Sequence, residues 1–391
     1  LEKQHFLAFT LVDVDGRPLA TVEPLDPEFA LRDLDATAGT AWRLSRFASA
    51  SRVGDRMVMS SPLGHAQIVL QGSALAFTGS LARAHTLSAW AALPSMPAMD
   101  VCAGLLGVLV NAGMVFACDA EDMIPEDRHP SLQQWEAHDL HFHYRSRWGN
   151  HDLPIGATYR FDGHFDSLPA CKAPMSAQPI VLQRPDMDLL AKNDPPFSQV
   201  SEARRSVRQP GASPITLAAL GDFLCRSVGM RKMLLPAGQS PYEASLRPVA
   251  SGGAMHDLEI YVFVNRCKGL DAGLYHYDAV HHRLEPLPVA QALCHRMFSS
   301  AMAGSATSEP SDVLLVMAAR FRRLNWKYEG MAHATRLKNV GALYQQMYLV
   351  ATAMNLAPCG LGAGDSRLFA EVTGLDIHTE GSVGEFMLSA R

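Results

Sequence analysis

Positive charge is scarce in this chain: 34 Lys and Arg stand against 39 Asp and Glu, for a formal net charge of -5 at pH 7. No basic stripe is rich enough to neutralise a run of phosphates, which argues against nucleic acid as the main partner. No apolar stretch reaches the length of a membrane span uninterrupted; 101–118 contains Asn111 and several glycines and reads as a helix plus a strand. The 7 cysteines are odd in number and lack CxxC spacing, which suits reduced thiols in the cytosol better than a disulfide framework. GxGxxG after a strand and the Walker spacing are missing too, leaving no case for a Rossmann unit or a P-loop. What is there is a 391-residue chain, 48% apolar, longer than one average domain and ample for large cores. It starts at Leu1, which leaves the native start and any targeting segment open.

Lysine beside tyrosine occurs at Lys327-Tyr328, in a chain that otherwise prefers arginine for positive charge. Arginine stays protonated at physiological pH, whereas a partly desolvated lysine can lose its proton and a neighbouring ammonium can help a tyrosine lose its own. The pair therefore has the chemistry of a proton-transfer device. The plain alternative is a solvated lysine next to a packed aromatic.

Three further patterns accompany it. Pro248 to Gly253, with Ser251, Gly252 and Gly253 in sequence, reads as a glycine turn opening onto the β-rich run 258–264; its backbone can approach a ligand closely, or simply turn tightly. Arg204, Arg205, Ser206 and Arg208 surround one hydroxyl with cations. Arg204 and Arg208 stand four apart, so on a helical turn both guanidiniums project from one side and can clamp a phosphate monoester; a solvated basic patch is the ordinary explanation. The stretch 357–365 ends a long helical pattern over 336–356, and its glycines, Gly360 and Gly362 among them, read first as a helix stop.

In their order and spacing these elements resemble the flavin-binding nitroreductase superfamily, in particular its SagB/McbC/ThcOx-type branch of peptide azoline dehydrogenases. The resemblance covers 200–391 and extends to the strand Gly273 to Asp278 and the ending 381–388. It implies an α+β fold: a nitroreductase-like domain with a central mixed or antiparallel sheet flanked by helices, forming a homodimer around FMN. By the same resemblance Arg204, Arg205, Ser206 and Arg208 hold the FMN phosphate and ribityl chain, and Pro248, Ser251, Gly252 and Gly253 form the flavin turn. The segment 337–353, with Gln345 as a cofactor residue, is similar to the family's central interface helix. Gly360, Leu361 and Gly362 match the place where backbone amides meet the reactive edge of the isoalloxazine. Lys327 and Tyr328 fall where the azoline dehydrogenases carry their catalytic pair. One departure concerns the basic residue often found near the C-terminus against the phosphate, for which only Arg367 and Arg391 are candidates.

The N-terminal part is organised differently. Strand-like alternation at 6–12 and 56–60 flanks an expected helix over 28–34, and a helix at 86–93, a longer helix at 99–112 and a strand at 113–117 outline a winged helix. The longer helix carries no Lys or Arg in 99–108, so it is no DNA reader; docking of a peptide by strand addition, or a structural role, fits better. Domains are expected at 1–119 (winged-helix-like), 120–197 (a connection with a Pro-rich arm held out of helix and sheet) and 198–391 (flavin domain). His138, His141 and His143 in the connection are spaced too unevenly to share one helical face, which disfavours a metal site.

The implied reaction is the two-electron oxidation of a thiazoline or oxazoline in a peptide natural product to the aromatic azole. FMN would take the hydride, dioxygen would reoxidise it, and Lys327 and Tyr328 would supply the base and its tuner. The substrate is a peptide or a carrier-protein-bound intermediate, with a cyclodehydratase or other pathway enzymes as partners and the cytoplasm as the expected location. An NAD(P)H-dependent nitroreductase or flavin reductase is the alternative, and a non-catalytic scaffold of a peptide-modifying complex a third reading.

Overall fold

The computed structural model describes residues 7–34, 39–94, 96–238 and 241–391. The chain forms two compact units, Leu1–Ile155 and Gly156–Arg391. In the first, the elements run β1 (Phe9–Val12), β2 (Pro18–Pro24), β3 (Trp42–Leu44), β4 (Ser49–Val53), β5 (Arg56–Ser60), β6 (Ala66–Leu70), α1 (Ser73–Ser80), α2 (Leu87–Ala91), α3 (Met99–Asn111), β7 (Val115–Ala117), α4 (Pro125–Arg128) and α5 (Ala137–Arg145). β1-β2-β6-β5-β4 form an antiparallel sheet, and β3 pairs with β7. Cys102, Leu105, Leu106 and Leu109 recur at helical spacing on α3 and pack with Val22, Ile68, Phe77 and Trp90.

The helix, turn, helix, glycine and strand order expected over 86–117 is present. Gly113 between α3 and β7 has φ +68°, and a side chain there would meet the Gly64 backbone at 2.6 Å. The expected helix over 28–34 is not formed. The backbone N–H and C=O of Arg32 are each paired at 2.9 Å with the side-chain amide of Asn111 on α3, so they are spent on a tertiary contact instead of helical bonds. Phe6, the first residue of the expected 6–12 strand, lies outside the described residues.

The second unit contains β8 (Ile180–Val181), α6 (Met187–Asn193), α7 (Phe197–Ala203), α8 (Leu217–Val228), β9 (Lys232–Leu234), β10 (Ala244–Leu246), β11 (Leu258–Val264), β12 (Gly273–Asp278) and β13 (Arg283–Leu287). It continues with α9 (Gln291–Ser305), β14 (Val313–Arg320), α10 (Phe321–Lys327), α11 (Ala332–Ala353), β15 (Leu356–Gly360), α12 (Ser366–Thr373) and β16 (Glu380–Ala390). Its main sheet has the order β15-β16-β14-β11-β12-β13-β8 and is antiparallel throughout. β11 and β14 are buried along their whole length, because alternate residues face different cores. Ile260, Val262, Leu315 and Met317 pack with Leu220 and Phe223 of α8 and Leu343 and Met347 of α11. Tyr261, Phe263, Leu314 and Val316 pack with Met297 and Phe298 of α9 and Leu368 and Phe369 of α12. The result is an α+β fold with helices on both faces of an antiparallel sheet.

Three local expectations are corrected. The Pro-rich arm enters both helix and sheet: β8 pairs with β13, and α6 is capped by the Asp186 carboxylate, which accepts from the N–H groups of Asp188 and Leu189. Its prolines, Pro185 on one side and Pro195 and Pro196 on the other, sit outside the helix, where a missing N–H costs nothing. The arm is also tied down at Lys172, whose ammonium donates to Tyr261 Oη at 2.7 Å and to Glu380 at 2.8 Å. Arg204 and Arg208 do not share a helical turn, since α7 stops at Ala203 and Val207 N–H donates instead to Pro358 O at 2.8 Å. Finally, α11 is not stopped by glycine: it ends at Ala353, Asn355 takes φ +54°, a region asparagine tolerates, and Gly360 closes a strand.

Candidate active site

Lys327 is the last residue of α10 and Tyr328 follows in extended conformation. The lysine is only 8% exposed. Its Nζ donates to Tyr242 Oη at 2.5 Å, and that hydroxyl donates to the Gly253 carbonyl at 3.1 Å. Gly253 has φ +61°, and a methyl group built there would lie 2.6 Å from Lys327 Nζ, 2.9 Å from Tyr328 Oη and 3.2 Å from Tyr242 Oη. Three polar side-chain ends thus converge on one glycine, and the Lys-Tyr pair and the Ser-Gly-Gly turn meet in space. The ammonium also lies 4.4, 5.1 and 5.7 Å from the ring centroids of Tyr242, Tyr328 and Tyr159. Burial by itself would lower the pKa of Lys327, but the hydrogen bond with Tyr242 and the neighbouring phenols outweigh it and hold the pKa above the usual lysine value. The lysine is therefore a cation at neutral pH.

Buried groups of α11 hold the turn in place. Gly252 N–H donates to Asn339 Oδ1 at 3.0 Å, Asn339 Nδ2 donates to Asp257 Oδ1 at 3.0 Å, and Arg336 Nε meets Asp257 Oδ2 at 2.9 Å. Ser251 Oγ accepts from His256 N–H at 3.1 Å. The His256 imidazole is pushed down to about 3 by burial and by the charges of Arg247 and Arg323, so it is neutral. Thr335 Cγ2 lies 2.3 Å from where a Gly252 methyl would be, and the Thr335 hydroxyl is buried without a hydrogen-bond partner among the described residues. Pro248 is half-buried at the start of this stretch.

The remaining candidates gather elsewhere. Ser206 Oγ is 2.7 Å from Tyr348 Oη, which accepts from Gly360 N–H at 2.8 Å, and the Arg204 guanidinium lies 5.1 Å from the Tyr348 ring centroid. Arg205, Arg208 and Gln345 are exposed. Beyond Gly360, Leu361 N–H pairs with Glu385 O at 2.9 Å, and Tyr344 Oη donates to Leu361 O at 3.1 Å. A cavity of about 390 Å³ opens here, lined by Tyr344, Leu361, Gly362, Ser366, Ser382 and Glu385 among others. A side chain on Gly362 would meet nothing within 4 Å. Burial, with the charge of Asp365, raises the Glu385 carboxyl.

Both groups flank α11. Asn339 reaches the Gly252 turn and Tyr348 reaches Gly360; they stand about two and a half turns apart at 3.6 residues per turn, hence on opposite sides of the helix. Within one copy, the Lys327 group and the Arg204 group lie on opposite sides of that helix.

Residues 202–388 match the Nitroreductase family, and residues 42–152 match Cyanobactin oxidase ThcOx. The chain is thus similar to the nitroreductase family over most of its second unit and to the ThcOx type over much of its first. A protein of Methanocaldococcus jannaschii named as a nitroreductase is 28% identical over 46% of this chain and 83% of its own length. The microcin B17-processing protein McbC of Escherichia coli is 27% identical over 52% of this chain and 78% of its own length. The trifolitoxin-processing protein TfxB of Rhizobium leguminosarum bv. trifolii is 27% identical over 36% of this chain but only 39% of its own length. Among solved structures, the E. coli microcin synthetase McbBCD complex with truncated pro-MccB17 bound matches with a TM-score of 0.40 and 20% identity over 60% of this chain and 90% of that one.

The nitroreductase-family match of this chain spans every candidate residue from Arg204 to Gly362. The sequence announced Lys327, Tyr328 and the glycine turn, but not Tyr242, Thr335 or Asn339. Asn339 lies inside α11, where helical spacing from Thr335 and Leu343 marks one face; that signal was legible in the sequence. Tyr242 stands in no motif, and only the fold brings it to Lys327.

Proposed function

We propose that this protein oxidises thiazoline or oxazoline rings of a peptide natural product to the aromatic azoles, using FMN. The observation that carries the reading is the convergence of Lys327 Nζ and Tyr328 Oη on Gly253, because it sets a buried cation beside a phenol at a turn whose backbone can approach a flat ligand. The residues suit FMN. The cavity beyond Gly360 is of ligand-binding size, given that such pockets span roughly 300–1,000 Å³. Exposed Arg205 and Arg208, with Arg204 and Ser206, offer charge-assisted donors to a phosphate, and the Thr335 hydroxyl, unpartnered among the described residues, lies beside the glycine turn. FMN, when bound, would supply the two-electron, hydride-accepting chemistry, with dioxygen as the final acceptor.

Lys327 and Tyr328 would remove the proton from the ring carbon that was an amino-acid α-carbon, acidified by the adjacent imine and carbonyl. Pro248, Ser251, Gly252 and Gly253 would face the flavin, while Gln345, Gly360, Leu361 and Gly362 would bind it from the other side of α11. Those two sets flank opposite sides of the helix, so we infer a homodimer in which each copy completes the other's site. The first unit would dock the peptide: β4 is a sheet-edge strand exposed at all five residues and open to strand addition. A cyclodehydratase or other pathway enzyme is the expected partner.

The test is to supply purified, FMN-loaded protein with an azoline peptide and to follow loss of a hydrogen pair per ring by mass spectrometry together with oxygen uptake. Azole formation supports the reading. No azole, but steady NADPH consumption with a nitroaromatic, would replace it with a nitroreductase.

A further inference from the structure

Lys327 does not work with Tyr328 alone. Two hydroxyls flank it, and they are bonded differently. Tyr242 Oη accepts from Lys327 Nζ at 2.5 Å and passes its own proton to the Gly253 carbonyl at 3.1 Å, so its donor and its principal acceptor direction are both used. Tyr242 is buried, and its ring is held against Trp326 at a centroid distance of 6.4 Å and Tyr159 at 6.5 Å. The Tyr328 hydroxyl has no hydrogen bond to any of the described residues, yet a Gly253 methyl would come within 2.9 Å of it. One phenol is fastened and the other is free at the same turn.

We propose that Tyr242 is a positioning residue of the proton-transfer site: it fixes Lys327 as an ammonium against the Gly253 turn and so leaves Tyr328 as the group that takes the substrate proton. This rests on the reading that the Lys-Tyr pair serves azoline oxidation. In that step the C–H bond at the ring α-carbon breaks, its proton passes to the Tyr328 phenolate oxygen, and the electron pair left on that carbon forms the new C=C bond to the neighbouring ring carbon as a hydride departs from the latter, which FMN, when bound, would accept. The fixed ammonium stabilises the phenolate before the transfer. A neutral Lys327 would not, which makes the lysine's charge the requirement and Tyr242 its guarantor. The raised pKa of Lys327, caused in part by the Tyr242 hydrogen bond against the effect of burial, agrees with this division of roles.

The experiment uses the full-length protein with isotope-labelled lysine, in wild type and Tyr242→Phe, which keeps the packed ring and removes only the hydroxyl. NMR titration of Lys327 should place it above ordinary lysine in wild type and about one pH unit lower in Tyr242→Phe. The alkaline limb of the azoline-oxidation profile should fall with it, while flavin absorbance stays unchanged. Tyr328→Phe should lower the Lys327 titration less than Tyr242→Phe does, since it removes a neighbouring phenol but not the hydrogen bond, and should remove the rate. A wild-type Lys327 that titrates at or below ordinary lysine overturns the proposal even if the variant does not fold. So does a Tyr242→Phe variant with an unmoved Lys327 titration or an unmoved alkaline limb. Should wild type fail to oxidise azolines while the Lys327 titration still drops in Tyr242→Phe, the positioning role stands and the assigned reaction falls.

Discussion

Gly253 and Lys327 approach so closely that a single methyl group on the glycine would stand 2.6 Å from the ammonium nitrogen. Such a distance is below any real carbon contact, and the glycine's φ of +61° adds a strain of about 1–2 kcal/mol for an L side chain. Gly253→Ala should therefore displace Lys327 and Tyr328 and abolish azoline oxidation. Gly362→Ala, with nothing within 4 Å of the added carbon, should fold with an unchanged melting temperature. Paired thermal melts and activity assays check both, and an active Gly253→Ala would remove the glycine from the site.

Lys327→Ala and Tyr328→Phe should each keep FMN and lower azoline oxidation by about a hundred- to ten-thousand-fold, the usual span of general acid–base catalysis. The double variant should be scarcely slower than the poorer single one, because the second change removes a function already gone. Azole yield by mass spectrometry is the readout. Near-normal turnover in both single variants would return the pair to the status of a packed aromatic and its neighbour.

Arg204→Ala combined with Arg208→Ala should release FMN, since it removes charge-assisted bonds to the phosphate, each worth about 1.5–3 kcal/mol. The fold should survive, because Arg208 is exposed and Arg204 only partly covered. A double variant as yellow as wild type would show that the phosphate lies elsewhere, with Arg367 and Arg391 the next cations to test.

Much of the second unit was legible in its sequence because strong local patterns coincide there with structure. The apolar run at 258–264 is β11, and the 273–278 motif is β12. Reading failed where tertiary contacts overrule local preference. Residues 28–34 have helical composition, but the Asn111 amide takes the Arg32 backbone. The Arg204 to Arg208 spacing suits a helix, but Pro358 captures the Val207 N–H in an extended chain. Tyr242 was invisible for a related reason: nothing local marks it, and its role exists only once α10 and the glycine turn are brought together.

His276, inside that legible β12 motif, gives the last prediction. Its imidazole is 3% exposed, with Nε2 3.1 Å from Glu259 and Nδ1 3.0 Å from Glu285, the residue opposite it on β13. Both ring nitrogens face carboxylates, so both must donate and the ring is cationic. Burial opposes that charge, but the hydrogen bond and charge of Glu259, with the hydrogen bond to Glu285, raise its pKa above 6.5. Burial likewise pushes Glu259 up, yet His276, Arg320 and Arg247 together pull it down from 4.5 to about 2. A raised histidine stabilises fully below its unfolded value and loses that contribution as pH rises through its folded value. A depressed glutamate stabilises above its unfolded value and loses that contribution as pH falls toward 2. The two contributions are therefore complete together between 4.5 and 6.5. His276→Leu removes the shared cation from between two buried carboxylates, leaving Glu259 with Arg320 and Glu285 with Arg283, and should cost up to about 3–5 kcal/mol there, the span for breaking a buried ion pair. Urea unfolding across pH should show the gap between wild type and variant widest in that window and narrowing as pH rises beyond it. A gap that stays constant, or grows with rising pH, would mean that His276 is neutral in the folded protein.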